Sequence, residues 1–313
     1  MPITARYHEA LNSIPPPGGG CHPSLLGVAN LGVIAGIDPE RIHDDMRRSV
    51  PSGRRSVTDR EISDAIKKAL SDHKGGTYTP KPRPKPVVKD GKATLQKIIS
   101  QAKISDEVDL WESSPIRLYD DPRHDTALFL NTLYRPDDSI WIGDRYQEGI
   151  MGDTIRTTTD WIKHFQSGGQ ASPHFVINPL SGKPAPTKSG DKETLRGDAC
   201  VSRFQYCLVE FDNLNYEEQI KFWSAVKLPV VCLIHSGGKS IHGLLEVNKL
   251  AKVDTMGVWE SEIKVRLYDR ILKPLGVDGA CSNAARLSRL PGHDRDGKMQ
   301  KILWLSYEGE PLC

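Results

Sequence analysis

The chain has 313 residues, is 38% hydrophobic and carries a formal net charge of +2, so it is long enough for two domains with cores of their own. No apolar run approaches the ~20 residues that a membrane-spanning helix needs, and the first residues do not resemble a signal peptide. The six cysteines are scattered without a Cys-x-x-Cys pair. This pattern favours reduced thiols in a cytoplasmic protein over disulfides or a zinc site.

Three helices are predicted within residues 1–76. Apolar spacing predicts the first over Ser24–Ala35, a capped start predicts the second over Asp38–Arg48, and a capping box of Thr58 and Glu61 begins the third. The first 100 residues hold 16 Lys and Arg against 10 Asp and Glu, which fits contact with nucleic acid and equally fits a solvated surface. The candidate nucleic-acid-binding residues of this region are Arg47, Arg48, Arg54 and Arg55.

Residues 77–90 alternate proline with basic residues, a pattern typical of an extended, semi-rigid spacer. We therefore predict a linker here, between a helical accessory domain over residues 1–76 and a second domain over residues 91–313. From residue 92 onward, helical patterns alternate with short strand patterns. The second domain is therefore predicted to mix helices with antiparallel strands.

Residues 206–212 form the first chemical motif. The stretch alternates apolar and acidic residues, so a strand would place Glu210 and Asp212 on one face. Two neighbouring carboxylates repel each other unless a positive charge lies between them. Mg²⁺ takes oxygen ligands, commonly one or two carboxylates together with substrate phosphates. The pair is a candidate for half of a metal site, and a solvated strand edge is the alternative.

A predicted hairpin follows, with a Ser-Gly-Gly turn between two strands. Glycines let the backbone approach a ligand, and exposed N–H groups beside a lysine would form a phosphate nest. A P-loop is excluded, because it needs a glycine where Leu233 stands and a helix after the turn. For His242, in the second strand, the alternative to ligand binding is a buried histidine of the core. The candidate nucleotide-binding residues of the hairpin are Ser236, Gly238, Lys239, Ser240 and His242.

The third motif begins at Asp278 and ends in Arg-Leu-Ser-Arg-Leu-Pro-Gly. Asp278 would complete a three-carboxylate site, and an ordinary Val-Asp-Gly turn is the alternative for it. Arg286 and Arg289 present forked guanidinium donors that match phosphate. Each arginine would serve equally well in an ion pair with a nearby acid.

Together, Glu210-x-Asp212, Ser240-x-His242 and the motif that begins at Asp278 resemble the three motifs of the archaeo-eukaryotic primase superfamily. The likeness is greatest to the primase-polymerases of phages, plasmids and other mobile elements, and it covers about the last two-thirds of the chain. It implies an α+β fold, in which an RRM-like primase palm with an α/β flanking module follows the small all-helical domain. The first motif of the family usually begins with Asp, and Glu210 stands in that place.

The resemblance implies a DNA-dependent primase or primase-polymerase, which joins NTP or dNTP substrates on a single-stranded DNA template. Glu210, Asp212 and Asp278 would hold two Mg²⁺ or Mn²⁺ ions for the in-line attack of a 3′ oxygen on an α-phosphate. His242 would contact the triphosphate of the incoming nucleotide. No helicase segment follows the motifs, so a helicase would act in trans or come from a region outside this sequence.

A second class of function stays open, namely a non-catalytic replication factor that binds single-stranded nucleic acid with the same fold. A nuclease of the rolling-circle type would need paired histidines around one apolar residue, and the sequence has no such pair. The motifs leave open whether ribonucleotides or deoxyribonucleotides are preferred and whether synthesis begins without a primer.

Overall fold

This computed structural model describes residues 2–16, 21–51, 57–73, 87–187 and 192–312. The chain divides into two compact units, residues 1–83 and residues 84–313. The segment predicted as a linker lies outside the described residues as far as residue 86. None of the helices in the described ranges is long and apolar enough to cross a bilayer.

The first unit consists of helices around a small apolar core, and two of them begin at the predicted caps. The Asp38 carboxylate accepts a hydrogen bond from the Glu40 N–H at 2.9 Å. Thr58 and Glu61 form the predicted capping box, with the Thr58 N–H donating to the Glu61 carboxylate at 2.8 Å. The first helix was not predicted, because it buries only two side chains. The helices are α1 (Ile3–Asn12), α2 (Cys21–Ile34), α3 (Pro39–Ser49) and α4 (Asp59–His73).

The second unit mixes helices with antiparallel strands, so the predicted α+β fold is confirmed. Its helices are α5 (Gly91–Ile99), α6 (Glu107–Glu112), α7 (Asp125–Leu133), α8 (Thr158–Gln166), α9 (Tyr216–Ala225) and α10 (Met256–Val258), which runs directly into a π-helix (Trp259–Leu272). Its strands are β1 (Ser139–Gly143), β2 (Ile155–Thr157), β3 (His174–Val176), β4 (Ala185–Pro186), β5 (Glu193–Thr194), β6 (Tyr206–Val209), β7 (Val230–His235), β8 (Ile241–Glu246), β9 (Leu287–Arg289), β10 (Asp294–Arg295), β11 (Lys298–Met299) and β12 (Lys301–Glu310).

The larger core lies around a four-stranded antiparallel sheet with the order β12-β7-β8-β6. In chain order, its strands and crossover helices run β6, α9, β7, β8, π-helix, β12. Because β8 lies between β6 and β7, these elements form a split β-α-β unit, and β12 extends the sheet beside β7. The helix α9 packs closely on the sheet because Gly243 of β8 leaves room for the Trp223 ring. The π-helix is tied to β6 by a hydrogen bond from the Tyr268 hydroxyl to the Leu208 carbonyl oxygen.

A second four-stranded sheet, with the order β2-β1-β3-β9, lies in the same unit. The fully buried Asn178 connects this second sheet to the first one, β12-β7-β8-β6. The Asn178 amide donates at 2.9 Å to the carbonyl oxygens of Tyr206 and Ala284. A side-chain contact joins β8 to β9, with His242 Nδ1 3.0 Å from the Ser288 hydroxyl. These contacts bring the end of β6, the start of β8 and the strand β9 to one place.

Candidate active site

Two acids and a thiol converge where β6 ends. The Asp278 N–H donates to the Glu210 carbonyl oxygen at 2.9 Å, which places the first and third predicted acids side by side. Their carboxylates and the Cys281 sulfur all have ligand atoms within 4.8 Å of one another. Carboxylates this close repel each other, so a cation bound between them would stabilise the arrangement.

Asp212, the other predicted acid, lies outside this cluster. The strand β6 ends at Val209, so the strict alternation that would align Asp212 with Glu210 stops before either residue. Glu210 is half-buried, whereas Asp212 is exposed, with Lys239 Nζ 3.5 Å from its carbonyl oxygen. Within the described part of the chain, the structure therefore assembles two of the three predicted acids.

His242 and Ser240 hold Glu210 in its charged form. His242 is 5% exposed and its Nε2 lies 3.3 Å from Glu210 Oε1, so it occupies a buried position that still faces the acids. The Ser240 hydroxyl also hydrogen-bonds to Glu210. Burial alone would raise the pKa of Glu210, but the hydrogen bond and charge of His242, with Arg286 and Ser240, lower this pKa to about 2. Glu210 is therefore ionised at neutral pH.

A cavity of about 370 Å³ opens beside Glu210 and His242. Its size is in the range of small-molecule sites. Four arginines surround one carboxylate, so the lining is strongly cationic and suits a polyanion. The charged and titratable residues of the lining are Arg145, His174, Arg196, Glu210, His242, Arg286 and Arg289.

The two predicted arginines both line this cavity. Arg286 Nη2 lies 3.7 Å from Asp278 Oδ2, a loose ion pair that leaves most of the guanidinium free. Arg289 is in β9 opposite His174, and burial followed by the nearby charge of Arg295 lowers its pKa. The buried Arg286 Nε and His174 Nδ1 have no hydrogen-bond partner among the described residues. Both residues line the cavity.

Arg145, Arg196 and His174 were missed by sequence reasoning. Arg145 follows β1 and His174 begins β3, and these strands pair through Gly143 and His174 at one edge of their sheet. The strand ends are a signal that would have indicated Arg145 and His174. The Arg196 guanidinium stacks 4.6 Å from the Trp141 ring centroid and donates to the Arg145 carbonyl oxygen at 2.8 Å. Burial lowers the pKa of Arg196, and burial with the Arg289 charge lowers that of His174 to about 4.

The turn residues that were predicted to bind phosphate contact other parts of the protein. The Ser236 hydroxyl accepts the Ser240 N–H at 3.3 Å and so closes the turn on itself. A side chain at Gly238 would lie 3.2 Å from Arg295 Nη1, because the β10–β11 hairpin packs against the turn. Lys239 is exposed and points toward the Asp212 backbone. Ser236, Gly238 and Lys239 are therefore absent from the lining of the described cavity.

The predicted arginines of the helical unit are occupied by acids where they are described. Arg47 forms an ion pair with Asp59 and donates to the Val57 carbonyl oxygen at 2.6 Å. Arg48 forms an ion pair with Asp45 on its own helix. The other two predicted residues, Arg54 and Arg55, lie outside the described residues.

No protein-family model and no curated protein matches the chain. Among solved structures, it is similar to the AEP domain of the primase-polymerase of cyanophage S-2L. The two chains are 17% identical, the similarity covers 61% of this chain and 94% of that chain, and the TM-score is 0.39. That domain is a member of the superfamily which the three motifs resemble. At this level of similarity, the reaction has to be inferred from the residues of the site.

Proposed function

We propose that this protein is a nucleotidyltransferase, a DNA-dependent primase or primase-polymerase. The observation that supports this most strongly is the position of Glu210. One carboxylate belongs both to the acid cluster with Asp278 and to the wall of a cavity with four arginines. A metal site that opens into a polycationic cavity is the arrangement required for a metal-bound triphosphate.

Glu210 and Asp278 fit a divalent cation because they are converging carboxylates, the donors that Mg²⁺ and Mn²⁺ prefer. A bound cation would neutralise charge on the phosphates and on the attacking and leaving oxygens. Asp212 completes the motif as the third acid in this proposal. Its carboxylate is exposed and has no ion-pair partner among the residues that the structure describes.

The arginines and His242 would bind and orient the triphosphate. Arg145, Arg196, Arg286 and Arg289 offer charge-assisted hydrogen bonds from several sides of the cavity. His242 is held between Glu210 and Ser288, so its ring has a fixed orientation against both the acid and the cavity. Such fixed donors hold the substrate in a reactive geometry without further ordering of side chains.

A single-stranded DNA template would follow exposed cations of the β10–β11 hairpin and of the adjoining β7–β8 turn. Lys239, Arg295 and Lys298 are exposed, and no acid within the described ranges forms an ion pair with any of them. Arg295 lies close enough to Arg289 for its charge to act on that residue, which connects the hairpin to the cavity. Unpaired cations beside a nucleotide site favour contact with a phosphate backbone. The substrates would be NTPs or dNTPs, with any helicase acting in trans.

The proposal is tested by incubating the full chain with single-stranded template, labelled nucleotides and Mg²⁺ or Mn²⁺, with and without a primer. We expect extended product on a denaturing gel. Glu210→Gln and Asp278→Asn are each expected to reduce product on the order of 100-fold or more, because metal stabilisation of the transition state supplies several kcal/mol. Asp212→Asn should reduce it in the same direction.

Glu217→Gln is the matched control, since Glu217 is an exposed acid of α9 that pairs with Lys221. It should leave product unchanged. A second function, a non-catalytic single-strand-binding replication factor, is favoured by the position of Asp212 outside the acid cluster. That function would give template binding with no product in either metal, which would contradict the enzymatic proposal.

A further inference from the structure

Cys281 is unlike the other thiols that the structure describes. Cys200, Cys207 and Cys232 are buried away from the acid cluster. Cys281 is equally buried, with no exposed surface, but its sulfur faces the two acids of the cluster. A thiol placed among carboxylates is a potential metal ligand as well as a core side chain.

Each acid of the cluster has one oxygen near this sulfur, and the Asp278 oxygen concerned also forms the loose ion pair with Arg286. Glu210 Oε1 faces His242 Nε2 at 3.3 Å, while Oε2 lies 3.9 Å from the Cys281 sulfur. Asp278 Oδ1 accepts the Ala280 N–H at 2.9 Å, while Oδ2 lies 3.7 Å from the same sulfur. One oxygen of each acid and the thiol thus lie within 4.8 Å of one another.

The spacing matches a metal polyhedron of a particular kind. With metal–sulfur bonds of about 2.3 Å and metal–oxygen bonds of about 2.1 Å, tetrahedral angles put sulfur and oxygen roughly 3.6 Å apart. Right angles, as in an octahedron, put them roughly 3.1 Å apart from the same bond lengths. The observed 3.7 Å and 3.9 Å are nearer to the tetrahedral value.

Two further features of the site bear on cation binding. Glu210 forms part of the cavity wall, so a cation at this point has a path from solvent. The backbone fixes the thiol as well, because the Cys281 N–H donates to the Asp278 carbonyl oxygen at 3.2 Å.

We propose that Cys281 is a third protein ligand of the divalent cation held by Glu210 and Asp278. A sulfur ligand selects ions of the Co²⁺ and Zn²⁺ class over Mg²⁺, which prefers oxygen donors in an octahedron. The thiol proton leaves to solvent when the metal–sulfur bond forms. The inference rests on the proposed function in one respect only, namely that Glu210 and Asp278 are the acids that bind the metal.

The test is a titration of the full chain with Co²⁺, followed by absorption spectroscopy in the absence of nucleotide and DNA. A sulfur ligand produces a sulfur-to-cobalt charge-transfer band, and a tetrahedral site produces intense visible bands. We expect both in the wild-type protein. Cys281→Ser should remove the charge-transfer band and weaken Co²⁺ binding by about 10-fold or more. Cys200→Ser and Cys232→Ser are the matched controls and should keep the wild-type spectrum.

Asp278→Asn gives a second variant that leaves every thiol in place. It should weaken Co²⁺ binding while a residual charge-transfer band persists at saturating metal. An unchanged spectrum in Cys281→Ser, or a wild-type spectrum without a sulfur band, would overturn the inference. The spectra do not depend on the incorporation assay, so they can support this inference even if that assay fails. Conversely, Cys281→Ser could keep the wild-type spectrum and still incorporate nucleotides with Mg²⁺. That result would overturn this inference and leave the proposed function standing.

Discussion

At the scale of single residues, Glu210 brings together the features from which the function is inferred. It follows directly after β6, bonds through its backbone to Asp278, and faces the cationic cavity with its side chain. Burial alone would raise its pKa, but the neighbouring His242, Arg286 and Ser240 lower it to about 2. Glu210 therefore stays charged over the pH range in which proteins are folded. A carboxylate that stays ionised while half-buried is suited to a cation.

Residue patterns predicted part of this site and missed part of it. Four site residues could be predicted because each lies in a short motif with recognisable spacing: His242, Asp278, Arg286 and Arg289. Asp212 did not align with Glu210, since the strand stops one residue before that acid. The arginines at 145 and 196 were out of reach because they join the cavity only through pairing and stacking between distant segments.

Asp125 gives a prediction on pH and stability. It is 2% exposed, its Oδ2 accepts the Ile302 N–H at 2.8 Å, and burial raises its pKa to about 7. The folded state therefore keeps a proton that the unfolded state loses near pH 4, so the free energy of unfolding should fall as pH rises from about 4 to about 7. Denaturant unfolding across this pH range measures the change.

The control is Asp125→Asn, which removes the charge and keeps an oxygen for the Ile302 N–H. This variant should lose the part of the pH dependence that Asp125 causes, so the stability difference between the two proteins should grow in favour of the variant from about pH 4 to about pH 7 and stay constant above pH 7. Parallel curves for both proteins from pH 4 to pH 8 would show that Asp125 does not titrate as inferred.

At the scale of elements, the sequence predicted those features that depend only on residues close together in the chain. The caps of α3 and α4 and the strands around the Gly-Gly turn follow from neighbouring residues. The role of the turn did not follow, because the β10–β11 hairpin packs against it from 57 residues away along the chain, at Gly238 and Arg295. The glycines give room to a protein segment where a phosphate nest was predicted.

The contact of α9 with β8 makes a prediction on stability. A Cβ atom at Gly243 would lie 2.2 Å from the Trp223 ring, which is fully buried. Gly243→Ala should therefore destabilise the second unit by roughly 1–3 kcal/mol, as overpacking of a core does. Urea unfolding followed by tryptophan fluorescence measures it. Gly257→Ala is the control, because the nearest atom to its added Cβ is 3.9 Å away.

A Gly243→Ala protein as stable as the Gly257→Ala protein would show that α9 shifts without cost and does not hold β8 in place. Because β8 carries His242, the close packing of these elements also bears on the site. The variant should lower nucleotide incorporation even under conditions in which it is fully folded.

The exposed cations of the β10–β11 hairpin and the β7–β8 turn make a prediction on DNA binding. Replacing Lys239, Arg295 and Lys298 together by Gln should weaken binding to single-stranded DNA and reduce the slope of log affinity against log salt by about 2, since each phosphate contact contributes roughly 0.7. Fluorescence anisotropy at several salt concentrations measures both quantities. The control variant replaces three cations paired with acids on their own helices, namely Lys221, Lys264 and Arg266.

The control should keep the wild-type salt slope. An equal loss of slope in the two triple variants would mean that the strand binds through net charge rather than along the hairpin. An unchanged slope in the hairpin variant would place the template on another surface.

At the scale of the whole molecule, composition predicted two globular parts, and the chain does form two compact units. The α+β class of the second unit followed from the succession of short strand and helix patterns. The pairing of its strands into two sheets did not, because the site depends on contacts such as those of Asn178, which joins segments 28 and 106 residues away. Such contacts have no local sequence signal.

The central claim is that the acid cluster and the arginine cavity are one site for a metal-bound triphosphate. Calorimetric titration of a non-hydrolysable nucleoside triphosphate, with and without Mg²⁺, tests it most directly. We predict that Mg²⁺ strengthens binding to the wild-type protein about 10-fold or more, that Glu210→Gln abolishes this strengthening, and that Arg145→Gln weakens binding both with and without the metal. Triphosphate affinity that is the same with and without Mg²⁺, or that is unaltered in both variants, would contradict the claim.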